Sequence, residues 1–326
     1  MTTKTRDLLV AAPERWDEAC FAVPAIRAML AAGMEVGVIC RVDQQELWRS
    51  VAGLEVLAFP VKARAKVAAA EIRGGWLATL VWEPGFAAEA GLLAGVPQRL
   101  GPAVRKLKKH LTHPLAFAAP PMAHRVRYYL AAIELMGIHT DRPEFFAPVA
   151  RDVEPVAGSV LLSPDSDFGP SYQWPLESWQ DLANRILQSG NRVTVAGVNG
   201  QRGLAHALAQ TLGDTVDFFN AAPLAGVLAT LAAYPLVIAA DGSLPHLAAH
   251  AGATCVTLFG PNDPLWKRPL GRRHSVVRRH VECAPCLLAN CPLDGRCQHE
   301  LATERVWAAV REKLLVRPAH DRMALT

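Results

Sequence analysis

Short apolar runs alternate with amphipathic stretches along most of the chain, and the alternation predicts the elements. The run DLLVAA at 7–12 reads as a buried strand, AVPAIRAMLAAG at 22–33 as a helix that stops at Gly33, and EVGVICR at 35–41 as a second strand. Strand, helix and strand at this spacing make a βαβ unit, which implies parallel pairing with a right-handed crossover. LEVLAFP (54–60), a helix around AEIRGG (70–75), the strand ATLVWEP (78–84) and a helix near AAEAGLLAGV (87–96) continue the pattern. Residues 103–129 interrupt it with a basic run, a proline pair and an amphipathic helix reaching Met136, so they read as an element inserted into the first half.

The stretch RPEFFAPVARDVEPVAG mixes proline and charge without a clean period and is expected to hold the linker, at about 147–157. After it the alternation restarts. SVLLSP is a strand, PLESWQDLANRILQSG a helix ending at Gly190, RVTVAG a strand, GLAHALAQTLG a helix and VDFFN a short strand. An uncharged helix opening at Pro223, the strand PLVIAADG, the helix LPHLAAHAG and the strand TCVTLFGP follow. No charge occurs from Asn220 to Ala240, a length that reaches the roughly 18–20 residues of a membrane span, but Pro223 and Pro235 divide it into a helix and a strand. The expected fold class is therefore α/β: two Rossmann-like domains with parallel sheets, 1–150 and 157–326, facing an interdomain cleft. Ligands in such sheets bind at the carboxyl ends of the strands.

A hydrophobic share of 51% and a charged share of 20% exclude a disordered or low-complexity chain, and 326 residues suit two domains of ordinary size. The net charge of +4, from 34 Lys+Arg against 30 Asp+Glu, is too weak to point to a nucleic-acid partner. Its distribution matters more, because Arg105, Lys106, Lys108 and Lys109 form a local patch that suits an anionic partner or a membrane surface, or else a solvated helix face. The segment MTTKTRDLLVAAPERWDEAC has acids and a proline where a signal peptide needs an unbroken apolar core, so a cytoplasmic protein with reduced thiols is expected. Cys20, Cys40 and Cys255 sit in apolar context, whereas Cys283, Cys286, Cys291 and Cys297 follow a C-x2-C-x4-C-x5-C spacing. Four thiolates so spaced reach one tetrahedral ion, which predicts a structural zinc or iron, or alternatively four free thiols, before the C-terminal helix.

Candidate chemistry falls on the loops after the strands. In ADGSLPHLAAHAG, Asp241 can hold a hydroxyl, Gly242 admits close backbone approach, and the N–H groups of Ser243 and Leu244 open a helix whose positive end favours phosphate, with His246 on the first turn. The same residues also suit an N-cap and a surface histidine. LFGPNDPLWKRPLG carries an elaborate turn at a strand end, followed by Lys267 and Arg268. Ser163, Ser166 and Ser171 offer hydroxyls to an anion, and Asn199 and Gln201 suit a base or ribose. The glycines at 197, 200 and 203 give GxxGxxG rather than GxGxxG, which disfavours a nucleotide-dependent dehydrogenase. Asp17 and Glu18, just before a helix at the end of the first strand, are placed either to take a proton from a substrate hydroxyl or to complement the helix dipole.

In this order the pieces resemble the ADP-heptose:lipopolysaccharide heptosyltransferase family of bacterial GT-B glycosyltransferases, most strongly from 161 to 306. The carriers are SPDSDFGPSYQWPLESW, AADGSLPHLAAHAGATCVTLFGPNDP and CAPCLLANCPLDGRCQHELATERV. The resemblance implies a GT-B architecture with an N-terminal acceptor domain and a C-terminal nucleotide-sugar domain. It puts Asp241, Gly242, Ser243, Leu244 and His246 at the donor diphosphate and sugar, Gly260, Pro261 and Asp263 in the cleft wall, and Ser163 with Ser171 beside the phosphates. It implies inverting attack by an acceptor hydroxyl assisted by an N-terminal carboxylate, with no obligatory catalytic metal. Two departures stand out. Glu18 takes the place of the family's usual aspartate, with Asp17 before it, and Ser171-Tyr172-Gln173 stands where a lysine usually meets the leaving phosphate.

The resemblance also places the basic run, with His113 and His124, at the acceptor-side insertion, where an anionic glycolipid or saccharide would dock and where the protein would touch the inner membrane's cytoplasmic face. The expected function is transfer of a heptose or related sugar from an ADP-sugar to an anionic lipopolysaccharide-type acceptor. The missing lysine keeps a second reading open, a weak or inactive relative that binds a nucleotide or scaffolds glycan assembly.

Overall fold

The computed structural model describes residues 5–118, 122–149 and 153–315, which fall into two compact units, Met1–Val149 and Ala150–Thr326. The expected proline pair at 120–121 and the middle of the expected linker, 150–152, lie outside the described residues.

The first unit runs β1 (Arg6–Ala11), α1 (Trp16–Ala31), β2 (Val36–Arg41), α2 (Gln45–Arg49), β3 (Glu55–Phe59), α3 (Ala65–Ile72), β4 (Trp76–Leu80), α4 (Phe86–Ala94), β5 (Gln98–Pro102), β6 (His113–Leu115) and α5 (Val126–Glu134). Its six strands lie in the order β3-β2-β1-β4-β5-β6, and every pair is parallel. The second unit runs β7 (Ser159–Ser163), α6 (Leu176–Gln188), β8 (Arg192–Gly197), α7 (Leu204–Leu212), β9 (Asp217–Asn220), α8 (Leu228–Ala232), β10 (Leu236–Ala240), α9 (Ser243–His250), β11 (Thr254–Phe259), α10 (Pro264–Lys267), β12 (Ser275–Arg278), α11 (Arg296–His299) and α12 (Thr303–Leu315). Its order, β12-β11-β10-β7-β8-β9, repeats the plan of the first, again with parallel pairs throughout.

This order matters for function. Successive connections reverse direction across the sheet between β1 and β4 in one unit and between β7 and β10 in the other, and at such a switch point neighbouring loops part and leave a crevice. The loops after β1 and β4, and those after β7 and β10, are therefore the places where each sheet can hold a ligand.

Packing fixes these edges. In α6, Leu176, Trp179, Leu182, Ala183 and Ile186 recur at helical spacing and meet Val160 and Leu162 of β7, Val193 and Val195 of β8 and Val306 and Val310 of α12. Trp174 and Trp179 stand edge to face at 5.4 Å, and the Trp174 indole N–H donates to the Leu301 carbonyl at 2.9 Å. In the first unit, the alanine-rich faces of α3 and α4 lie in one core with Leu9, Ile39, Phe59 and Trp76.

Two expectations need correction. The uncharged helix does not open at Pro223. It is confined to α8, from Leu228, because Gly226 adopts a left-handed φ of 75° that interrupts a helix. The sheets also gain β5, β6 and β12, which glycine, proline, histidine and arginine had hidden from the apolar pattern. No helix among the described residues is long and apolar enough to cross a membrane.

His274, just before β12, links pH to the stability of the second sheet. Its Nδ1 accepts the Cys255 N–H at 3.0 Å, its Nε2 donates to the Leu270 carbonyl at 2.9 Å, and burial, then Arg273, lowers its pKa from 6.5 to about 4. The unfolded chain thus binds the proton first, so the stabilisation is complete above pH 6.5 and is lost as the pH falls toward about 4. Calorimetric melting over that range should show a loss on the order of 2 kcal/mol that His274→Gln removes.

Candidate functional site

At the first switch point, four residues separate the end of β1 from the start of α1, which sets Asp17 and Glu18 in its first turn. The two acids are not equivalent. Asp17 is fully buried and accepts both Nε and Nη2 of Arg15 at 3.1 Å. The Glu18 side chain keeps 12% of its surface exposed and is met from α5. Arg125 Nε donates to Glu18 Oε1 at 3.1 Å and Oε2 at 2.9 Å, and the Tyr129 hydroxyl donates to Oε2 at 2.6 Å. Burial and then the Glu18 carboxylate push the Tyr129 phenol well above its ordinary value, which keeps it a donor. Burial works against the Arg125 charge, but Glu18 and Tyr129 outweigh it and raise that group too.

At the second switch point, β10 delivers Asp241 and Gly242 to the start of α9. Asp241, Ser243, Leu244 and His246 are all buried. The Ser243 N–H is not open as the sequence suggested. Asp167, on the loop after β7, accepts the Ser243 N–H at 2.8 Å through Oδ1 and the Ser243 hydroxyl at 2.6 Å through Oδ2. A Cβ at Gly242 would come within 2.9 Å of that Oδ1, so the glycine is what admits the carboxylate. A carboxylate thus occupies the helix end where an anion was expected, as dipole and orphan N–H groups both favour.

The same loop fastens β8 to the site. Asp165, 3% exposed, accepts Val198 and Asn199 N–H groups at 2.9 and 3.0 Å through Oδ2 and the Ala205 N–H at 3.0 Å through Oδ1. Ser166 donates its hydroxyl to the Asp241 carbonyl at 2.6 Å, and the Asn199 amide donates to the Ser166 carbonyl at 3.3 Å. Asn199 and Asp241 are thereby brought to one loop, while Gln201 sits exposed in a turn beyond it. Ser163 is wholly buried at the end of β7, and the Ser171 hydroxyl, like that of Ser163, has no hydrogen-bond partner among the described residues. The Lys267 ammonium lies 5.9 Å from the centroid of Phe168, so a cation from α10 stands beside the loop that lacks a lysine of its own.

The remaining expected residues fall into other groups. Asp263 caps α10 by accepting the Leu265 N–H at 2.8 Å and lies 3.6 Å from Arg278, and the Pro261 carbonyl accepts the N–H groups of Cys286 and Leu287. A Cβ at Gly260 would lie 2.6 Å from Gln298 and 3.1 Å from the Cys297 sulfur, so this turn backs onto the cysteine segment. Arg105, Lys106, Lys108 and Lys109 surround one open surface depression of about 730 Å³. His113 is exposed beside Thr112, and His124 packs edge-on against Phe21, so neither is among that depression's described lining residues.

Burial, and then the proximity of Cys283, Cys286 and Cys291, pushes the Cys297 thiol up, which places the four in one neighbourhood. Among the described residues, however, no three His, Cys, Asp or Glu side chains are set to hold a metal ion. Burial pushes Cys20 far up and Cys40 and Cys255 to about 12, whereas Cys283 and Cys291 are exposed. Iodoacetamide in mildly alkaline buffer should therefore modify Cys283 and Cys291 first and leave Cys20, Cys40 and Cys255 intact until denaturant is added, as peptide mass spectrometry would read.

Sequence reasoning missed Asp165, Asp167, Arg125 and Tyr129. The pair of aspartates two apart, straight after a buried strand, was a usable sign. The α5 residues carried none, since 107 and 111 positions separate them from Glu18.

Residues 136–296 match the model of glycosyltransferase family 9 (heptosyltransferase). The chain is similar to lipopolysaccharide heptosyltransferase 1 of Pseudomonas aeruginosa, 33% identical over 119 residues that cover 36% of this chain and 33% of the relative. The match thus spans about a third of that curated relative's length. Its structure is similar to the E. coli ADP-heptose LPS heptosyltransferase II, with a TM-score of 0.75 and 17% identity over 95% of this chain and 98% of that one. It is also similar to a family 9 glycosyltransferase of Veillonella parvula, with a TM-score of 0.80 and 14% identity over 97% and 99%. Both likenesses speak to the α/β fold with its two parallel six-stranded sheets.

Proposed function

We propose, from the premise that the segment 136–296 belongs to glycosyltransferase family 9, that this chain transfers a heptose or a related sugar from an ADP-sugar to an anionic lipopolysaccharide-type saccharide. The observation that carries the reading is Glu18, a carboxylate gripped by two donors yet partly open at the switch point of the first sheet. In this reading residues 1–150 serve the acceptor and 157–326 the nucleotide sugar.

The acceptor hydroxyl attacks the anomeric carbon opposite the phosphate. Its new carbon–oxygen bond forms as the bond to the β-phosphate oxygen breaks, Glu18 takes the hydroxyl proton, and ADP leaves with the electron pair, so the configuration inverts. Asp241, Gly242, Ser243, Leu244 and His246 receive the donor, with Ser163, Ser171, Asn199, Gln201 and the Gly260–Pro261–Asp263 turn around them. A diphosphate at Ser243 takes the place of Asp167, and its charge is met by N–H groups and Lys267 or Arg268 rather than by an obligatory metal. Arg105, Lys106, Lys108, Lys109, His113 and His124 serve the anionic acceptor and peripheral contact with the inner membrane's cytoplasmic face. For Cys283, Cys286, Cys291 and Cys297 the two readings are a structural zinc or iron and four free thiols, and elemental analysis of the purified chain, with Cys283→Ser as control, decides between them.

Asp167 on Ser243, together with Ser171-Tyr172-Gln173 in place of a lysine, favours a second reading, a relative that binds the nucleotide without turnover. Calorimetric titration with ADP, ADP-heptose and other nucleotide sugars, followed by an ADP-release assay with saccharide acceptors, separates the two. Acceptor-dependent ADP release supports transfer. Binding without release selects the second reading, and no binding of any nucleotide sugar overturns both.

A further inference from the structure

Glu18 reaches its position on one more rotatable bond than an aspartate has, and α5 removes that freedom. Arg125 bonds both carboxylate oxygens while Tyr129 bonds one, which fixes the plane of the group as well as its place. These two are themselves held. The Arg125 guanidinium lies 4.2 Å from the centroid of the Tyr128 ring, and the Tyr128 hydroxyl donates to the Trp82 carbonyl at 2.6 Å, just past β4. Trp82 in turn stands edge-on to Tyr129 at 5.1 Å, and Tyr128 edge-on to Tyr129 at 5.4 Å. The contacts close into a ring, Glu18–Arg125–Tyr128–Trp82–Tyr129–Glu18, that spans α1, α5 and the carboxyl end of β4. Tyr129 is 2% exposed and Trp82 2%, so the ring has little room to relax.

We infer that Arg125 and Tyr129 are positioning residues for transfer, which hold the Glu18 carboxylate in the one orientation from which it can take the acceptor's proton. The inference rests on the reading of Glu18 as the proton acceptor. Small displacements of a reacting group cost large factors in rate, and a side chain released to sample several rotamers loses that alignment without losing the donor site.

The test uses Tyr129→Phe, Arg125→Gln and Arg125→Lys in the full chain, with and without Glu18→Gln, reading kcat, KM for donor and acceptor, ADP affinity and Tm. Tyr129→Phe should lower kcat about tenfold and Arg125→Gln about a hundredfold with unchanged ADP affinity, Arg125→Lys should recover part of the loss, and neither substitution should lower kcat further in the Glu18→Gln background. Unchanged kcat in both single variants, or losses that multiply with that of Glu18→Gln, would overturn the inference. Full turnover in Glu18→Gln alone would instead refute the reading of Glu18 on which it stands. Crystal structures of the same variants give a readout independent of turnover: a Glu18 carboxylate spread over several rotamers in Tyr129→Phe supports the role, and one in its original place contradicts it.

Discussion

In the Glu18→Gln protein, sugar transfer should fall by roughly 10²–10⁴-fold while ADP binds with wild-type affinity. The substitution keeps size and both heavy-atom positions but removes the group that accepts the proton. Arg125 and Tyr129, which donate to the carboxylate now, would meet an amide that can answer only part of that donation. The residues proposed to receive the donor belong to the other compact unit, so ADP affinity is expected to stay unchanged. Asp17→Asn is the matched comparison. Asp17 is fully buried against Arg15, and its loss should appear as lower melting temperature, with kcat changing far less than in Glu18→Gln. Parallel initial-rate and calorimetric measurements check both halves, and wild-type turnover in Glu18→Gln would exclude the carboxylate as the base.

Asp165→Ala should destabilise the second unit by about 2–4 kcal/mol, since three N–H donors lose a charged acceptor at once. Ala205 is buried, so water cannot replace its partner, whereas Asn199 is exposed and can recover a bond to solvent, which keeps the loss below the sum of three. For a unit of this size that corresponds to a fall in Tm of roughly 5–15 °C by scanning calorimetry. ADP affinity should fall with it, because Asp165 joins the loop after β7 to the loop that carries Asn199. Asp165→Asn retains one oxygen acceptor and should lie between the two proteins. A Tm within a degree of wild type in Asp165→Ala would show that the loops are held by other means.

The regular part of this architecture was legible because a buried parallel strand writes itself as an unbroken apolar run and a covering helix as a 3.6-residue stripe. DLLVAA, SVLLSP and PLVIAADG became β1, β7 and β10, the strands beside each switch point. Short, half-exposed strands toward the rim of the sheet carry less of that signal. Gln98–Pro102 and His113–Leu115 are half exposed and bind to the sheet through backbone groups that any residue supplies. The candidate site was legible where the chain brings its residues close in sequence, as at Asp241 to His246. It was hidden where a side chain answers a distant need. Asp167 looked like an ordinary loop acid, and only the fold reveals that Ser243, 76 positions later, uses it. Tyr129 looked like one more apolar position of an amphipathic helix.

The two loop aspartates also alter how this sheet edge exchanges with solvent. The amides of Val198, Asn199, Ala205 and Ser243 lie at loop and helix starts, positions whose hydrogens ordinarily pass to water through small local fluctuations. Here each is bonded to a carboxylate anchored in the β7 loop, so its hydrogen is released only when that loop moves. In hydrogen–deuterium exchange the four amides should therefore open together as one cooperative unit, so that a region that looks like a set of separate connections has the kinetics of a single folded element.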